Sequence, residues 1–136
     1  MRFATRQRDF WELLSAEERH RESPDTFWIP DRDARESLHP GQAAQLIFEI
    51  ELESDDGTPE IMGERMWVLV RERQGSHYLG ILLNQPVSFD PADDLYLCKG
   101  AEIPFGPEHI IQVDDPPEDF VEAQLSALPT RTWVVH

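Results

Sequence analysis

Five histidines, one cysteine and 27 carboxylates are the side chains of this 136-residue chain that could do metal or acid–base chemistry. His20, His39, His77, His109 and His136 form no HxH or HExxH pair, and no CxxC exists, so no transition-metal ligand spacing is present. "SDDG" at 54–57 and "DPADD" at 90–94 cluster acids in loops, but neither follows the ligand order of a calcium-binding loop. Both read as solvated turns, and no metal site is expected. A nucleophilic thiol needs a base or a positive end beside it. Cys98 precedes His109 in a stretch, Asp90–Glu122, with ten acids and Lys99 as its lone lysine or arginine. That setting supplies no positive partner for a thiolate beyond Lys99, so Cys98 reads as a small buried or half-buried side chain. The chain has no G-x-S-x-G, phosphate loop or dinucleotide fingerprint, so no cofactor and no catalytic residue is expected. Glu64, at a strand entrance, would need a second carboxylate or a histidine for acid–base work; an ion pair with an arginine is the expected fate.

Charge is the unusual quantity. Twenty-seven acids against twelve bases give −15. Residues 1–48 are nearly balanced, with nine acids and seven bases, whereas Glu49–Glu64 hold seven acids and no base. Such a field repels nucleic-acid phosphate and anionic membrane and favours a basic protein partner. No apolar run approaches the ~20 residues of a membrane helix. The N-terminal "MRFATRQRDFWELL" lacks the apolar core of a signal peptide. With Cys98 alone, no internal disulfide forms. A cytoplasmic protein is expected; oligomeric state is not legible.

The elements that must position these residues change period along the chain. Phe10, Trp11, Leu13 and Leu14 form an apolar patch at helical spacing, and "SAEE" at 15–18 reads as a cap from which a helix restarts. Asp31 or Asp33 caps a second short helical turn before Pro40-Gly41. From Gln45 the period becomes two. Leu46, Phe48, Ile50 and Leu52 take one face of a strand; Glu49, Glu51 and Glu53 take the other. Met66, Val68 and Val70 mark a second strand, which turns through Gly75 into a third over His77–Asn84. Gly80 implies a bulge, a bend or a close backbone approach. Ala101, Ile103 and Phe105 mark a fourth strand, and Pro104 implies an edge position or a bend. "DDPPEDFVEAQLSALP" reads as a helix with Val121, Leu125 and Leu128 on one face, and "TWVV" at 132–135 as a terminal strand or an irregular segment.

One domain, 1–136, is expected: a helical segment over 1–24, a β-rich core over 26–114, and a helix with tail over 115–136. The fold class is α+β, with a curved antiparallel sheet or small open barrel of four to six strands and N- and C-terminal helices. Gaps between the strands are too short for parallel crossovers.

"TFWIP" at 26–30, "LIFE" at 46–49, Gly63-Glu64, Met66-Trp67-Val68, Gly80, Leu82, Asn84, Pro86, Gly100, Phe105 and His109-Ile110 together resemble a bacterial family of small domains, the YegJ-like family. The resemblance runs from about Thr26 to Asp114 and implies a small intracellular bacterial domain, with no activity to carry over. At the level of class, small acidic domains of this kind also resemble immunity proteins, which act by binding.

Two functional expectations follow. The first is a non-catalytic protein-binding module for a basic partner, using the row Glu49, Glu51 and Glu53. The second is a small enzyme or small-molecule-binding domain, with a pocket between sheet and helix lined by Trp67, Tyr78 and Asn84 beside Glu64. Trp67 faces away from Met66 and Val68, so either a helix covers it or it lines a groove.

Overall fold

The period-two run from Ala43 to Glu53 forms strand β2, and Pro59–Gln74 forms β3. All eleven residues of β2 pair with β3, from Ala43 opposite Leu69 to Glu53 opposite Pro59. The turn between them is closed by its own side chains. Asp56 accepts from Ser54 Oγ (2.6 Å), Thr58 Oγ1 (2.6 Å) and the Thr58 N–H (3.0 Å), and Gly57 takes φ +85°. Those bonds, the Ser54 hydroxyl first, pull the Asp56 carboxyl down to about 2.

A computed structural model, which describes residues 1–133, places this hairpin at the centre of a curled antiparallel half-barrel. Strand β1 (Trp11–Leu13) lies beside β2, β4 (His77–Leu82) beside β3, and β5 (Glu102–Phe105) beside β4 at the edge. Strand β6 (Ile110–Asp114) also pairs with β2, at Ala43–Leu46, end to end with β1 at Phe48–Ile50. Leu46, Phe48 and Ile50 meet Met66, Val68, Val70, Leu82, Ile103 and Phe105 in one core, all of them buried. The α+β antiparallel reading holds. Gly80 faces the place where β3 carries an extra residue, Arg71, and a Cβ there would stand 2.5 Å from the Leu69 carbonyl oxygen. Close approach is its reason.

The N-terminal reading needs correction. The helix α1 covers only Arg6–Asp9 and stops at Phe10, whose φ is +66°. Trp11–Leu13 is then a strand, not a helix. Trp11 packs against Phe48, Tyr96 and Trp133, with ring centroids 5.8, 6.2 and 5.7 Å away. Burying so large a side chain on the sheet outweighs a four-residue helical pattern. Helix α2 (Ala16–Glu22) starts where expected, with Ser15 Oγ accepting from the Glu18 N–H. Helix α3 (Arg32–Glu36) is capped by Asp31. Helix α4 (Glu118–Ser126) buries no residue, and Leu128 is exposed; it is not a lid over the sheet. Arg131 makes an isolated bridge to Ala101, and Val134 and Val135 of the expected terminal strand lie outside the described residues. Among the described residues no helix is long and apolar enough to cross a membrane.

Two buried polar centres join helices to sheet. Arg35, 6% exposed, donates to the Pro30 carbonyl (2.9 Å), the Pro107 carbonyl (3.0 Å) and Glu17 Oε2 (2.5 Å). Tyr78, fully buried on β4, donates to the Arg35 carbonyl (2.8 Å) and accepts from the Leu38 N–H (3.2 Å). One side chain thus ties α2, α3 and the turn at Pro107–His109, and another ties the end of α3 to the sheet. Tyr78→Phe strands a buried donor and a buried acceptor, so it should lower unfolding free energy by about 1–3 kcal/mol in denaturant titration. An unchanged midpoint would mean that the hydroxyl contributes nothing.

His109 is a further buried polar side chain, within the turn itself. Its Nδ1 accepts from the Gly106 N–H (2.9 Å), and its ring meets Phe3 edge-on at 4.9 Å. Burial pushes its pKa down to about 4, with His77 adding to the drop while Glu108 and Glu17 oppose it. An unfolded histidine titrates near 6.5, so between the two values the unfolded chain binds the extra proton. The stabilising contribution is therefore present above pH 6.5 and lost as pH falls toward 4. His109→Gln should remove on the order of 3 kcal/mol of that pH dependence. Thermal melts across this window check it; identical slopes for both proteins would contradict the assignment.

Candidate functional site

Beyond the end of β1, the β2–β3 hairpin runs on as an arm. Asp55 to Gly63 are all exposed; the arm carries Glu51, Glu53, Asp55, Asp56, Glu60 and Glu64, with Glu49 at its base beside β1, and no lysine or arginine falls among them. Strand alternation puts Glu49, Glu51 and Glu53 on the outer face, opposite Gly63, Ile61 and Pro59 of β3. The row is not a uniformly free strip. Glu53 is exposed, but Glu49 and Glu51 are half-buried, and Glu49 sits directly opposite Glu12 of β1. Like charges so placed repel. Arg6 of α1 relieves this, with its Nε 3.2 Å from Glu12 and its Nη1 3.8 Å from Glu51. Glu49 and Glu53 form no ion pair among the described residues.

Glu64, Trp67 and Asn84 do come together, as a clasp where β4 gives out. Asn84 Oδ1 accepts the Trp67 N–H at 2.7 Å, and the Leu83 N–H donates to the Trp67 carbonyl at 2.9 Å. Glu64 does not pair with an arginine. Its carboxylate accepts from the Val87 N–H (3.0 Å), the Ser88 N–H (2.6 Å) and Ser88 Oγ. The acid and the amide hold the Leu83–Ser88 loop against β3. Trp67 is half-buried on the outer face, in register with Gln45. Tyr78 is not near this group: it is sealed in the core under α3, so it lines no open pocket.

Open clefts lie elsewhere. One of about 360 Å³ is lined by Glu17, Arg32, Glu36, Arg73, His77 and Glu108, and its Arg32–Glu36 pair closes at 2.8 Å. An apolar one of about 170 Å³ lies among Phe10, Trp11, Phe89 and Tyr96. Cys98 Sγ stands 3.5 Å from Thr130 Oγ1, and His109 is engaged with Gly106, so the two are not an arranged nucleophile and base. Among the described residues no three histidine, cysteine or acidic side chains converge as metal ligands.

Sequence reasoning missed Arg6, which reads as one basic residue of a helix, and the backbone of β3 itself. Nothing local in the sequence marks the latter, because it follows from β3 having 16 residues where β4 has six.

No family model, curated protein or solved structure matches the chain.

Removing the clasp tests its role. Glu64→Ala and Asn84→Ala should each cost about 0.5–1.5 kcal/mol and speed amide exchange at Val87 and Ser88. Unchanged exchange in both would show that the loop is held by something else.

Proposed function

We propose that the protein is a non-catalytic module that binds a basic protein partner through the β2–β3 arm. The observation that carries this reading is the projecting hairpin itself: seven acids and no lysine or arginine between Glu49 and Glu64, with Asp55–Gly63 exposed on a rigidly closed turn. A field of this kind speeds encounter with a basic surface and disfavours nucleic acid and anionic membrane. The polar groups that were candidates for chemistry support it too. Glu64 and Asn84 are spent on holding a loop, and Tyr78 on holding a helix. A cytoplasmic setting and an immunity-like mode of action, neutralisation by binding, belong to the same reading. The resemblance to the YegJ-like family implies no activity that competes with it.

The triple variant E49Q/E51Q/E53Q tests the proposal. Its melting temperature should stay close to that of the parent, because Glu53 is exposed and only Glu51 of the three is ion-paired, at 3.8 Å. Binding of the captured partner should weaken about tenfold at low salt, and the difference should shrink near 0.5 M salt. A partner that binds parent and variant alike at every salt concentration would refute the reading.

A further inference from the structure

The arm offers more than charge. In the β2–β3 ladder, bonded pairs fall on even numbers: Ser54 N–H donates to Thr58 O, and Val70 N–H donates to Gln42 O. The odd residues of β3 therefore turn their N–H and C=O groups away from β2. At Trp67 those groups are taken by Asn84 and Leu83, and beyond it β4 pairs from Val68 onward. Toward the tip nothing replaces β4. The N–H and C=O groups of Ile61, Gly63 and Arg65 have no partner among the described residues, and all three residues are exposed. From Pro59 to Arg65, just short of the Trp67–Asn84 bond, β3 is an open sheet edge about 20 Å long.

We propose that this edge is the binding site, and that its occupant is an extended basic segment of a partner protein, added to the sheet as a further strand beside β3. The inference rests on the basic-partner reading and specifies how it works. Backbone bonds to Ile61, Gly63 and Arg65 supply affinity, as in other strand-addition complexes. Selectivity comes from the outer face. An added strand lies about 10 Å from β2, two strand spacings, with β3 between. Gly63 stands opposite Glu49, and a Cβ built on it would meet nothing within 4 Å. A lysine or arginine side chain on the new strand therefore has a clear path over Gly63 to Glu49, which has no ion-pair partner of its own among the described residues. Ile61, 40% exposed, gives the aliphatic stem a surface to lie on. A second copy of this chain fits the edge less well, because each copy brings −15 and seven acids to the same arm.

The test uses the full chain and a fluorescent heptapeptide alternating lysine with threonine. Its binding should be salt-sensitive, and a copy N-methylated at every internal amide, with the same charge, should bind at least about tenfold more weakly. On the protein side, G63P removes the outward N–H and sets a ring on the open path over Gly63 to Glu49, at an edge position where proline is tolerated. It should weaken the unmethylated peptide similarly while leaving the circular dichroism spectrum unchanged. If methylated and unmethylated peptides bind equally and salt still weakens both, the strand-addition site is overturned while the basic-partner reading stands. If neither peptide binds at low salt, both fall. A dimer in solution that G63P dissolves would make a second copy the occupant and overturn the choice of partner.

Discussion

The ladder between β2 and β3 is the constraint on which the rest of the molecule depends. Every residue of β2 is committed to it, so its inner face fixes where Leu46, Phe48, Ile50, Met66, Val68 and Val70 must meet the other strands. These side chains are buried almost completely, and at roughly 1.5–3 kcal/mol each they form the largest favourable contribution to folding. The same ladder outruns its neighbours. Strand β1 reaches only Phe48–Ile50 and β4 begins at Val68, so one end of the hairpin is core and the other end is arm. Core and candidate site are two ends of one pair of strands.

At the core end, the helices are attached by polar contacts rather than by a broad apolar face. Helix α3 places one buried side chain, Arg35, and α2 buries Ala16. Arg35 is satisfied by two carbonyls and by Glu17, a geometry that offsets the cost of desolvating a guanidinium without making the pair a large net source of stability. Its role is to fix arrangement: with Tyr78 it sets where α3 ends and how the Pro107–His109 turn lies against α2. At the other end of the chain order, Arg2 lies 4.6 Å from the Trp133 ring centroid, and the Trp133 indole Nε1–H donates to the Arg2 carbonyl. The first residues are thereby held beside Trp11 and Tyr96.

How much of this could be read from the residues depends on the range of the interaction. The strand at Leu46–Leu52, the Gly75 turn, the Ser15 cap, a cap at Asp31 or Asp33, and an edge position or bend at Pro104 were legible, because each is decided by side chains within a few positions. Trp11–Leu13 was misread: apolar residues at 10, 11, 13 and 14 satisfy helical spacing, while the deciding contacts, to Phe48 and Tyr96, are far away in sequence. Tyr78 and Glu64 were recognised as notable but not for their reasons. A tyrosine in a strand does not announce that its hydroxyl will meet the end of a helix 43 residues earlier. The acidic row was legible as a row; Arg6 reaching into it was not. The open edge was hidden because it arises from what β4 fails to cover, and strand ends are set by the Asn84 and Glu64 bonds rather than by a local pattern.

Residue-resolved amide exchange on the free protein tests the central claim, that the arm is a formed ladder with one open edge. The N–H groups of Met62, Glu64 and Met66 face β2 and should exchange slowly, whereas those of Ile61, Gly63 and Arg65 should exchange far faster. Such alternation along a single strand is the result the account predicts. Equal protection at all six positions would mean that the edge is already covered, and equally fast exchange at all six would mean that the arm is not a ladder; either would contradict it.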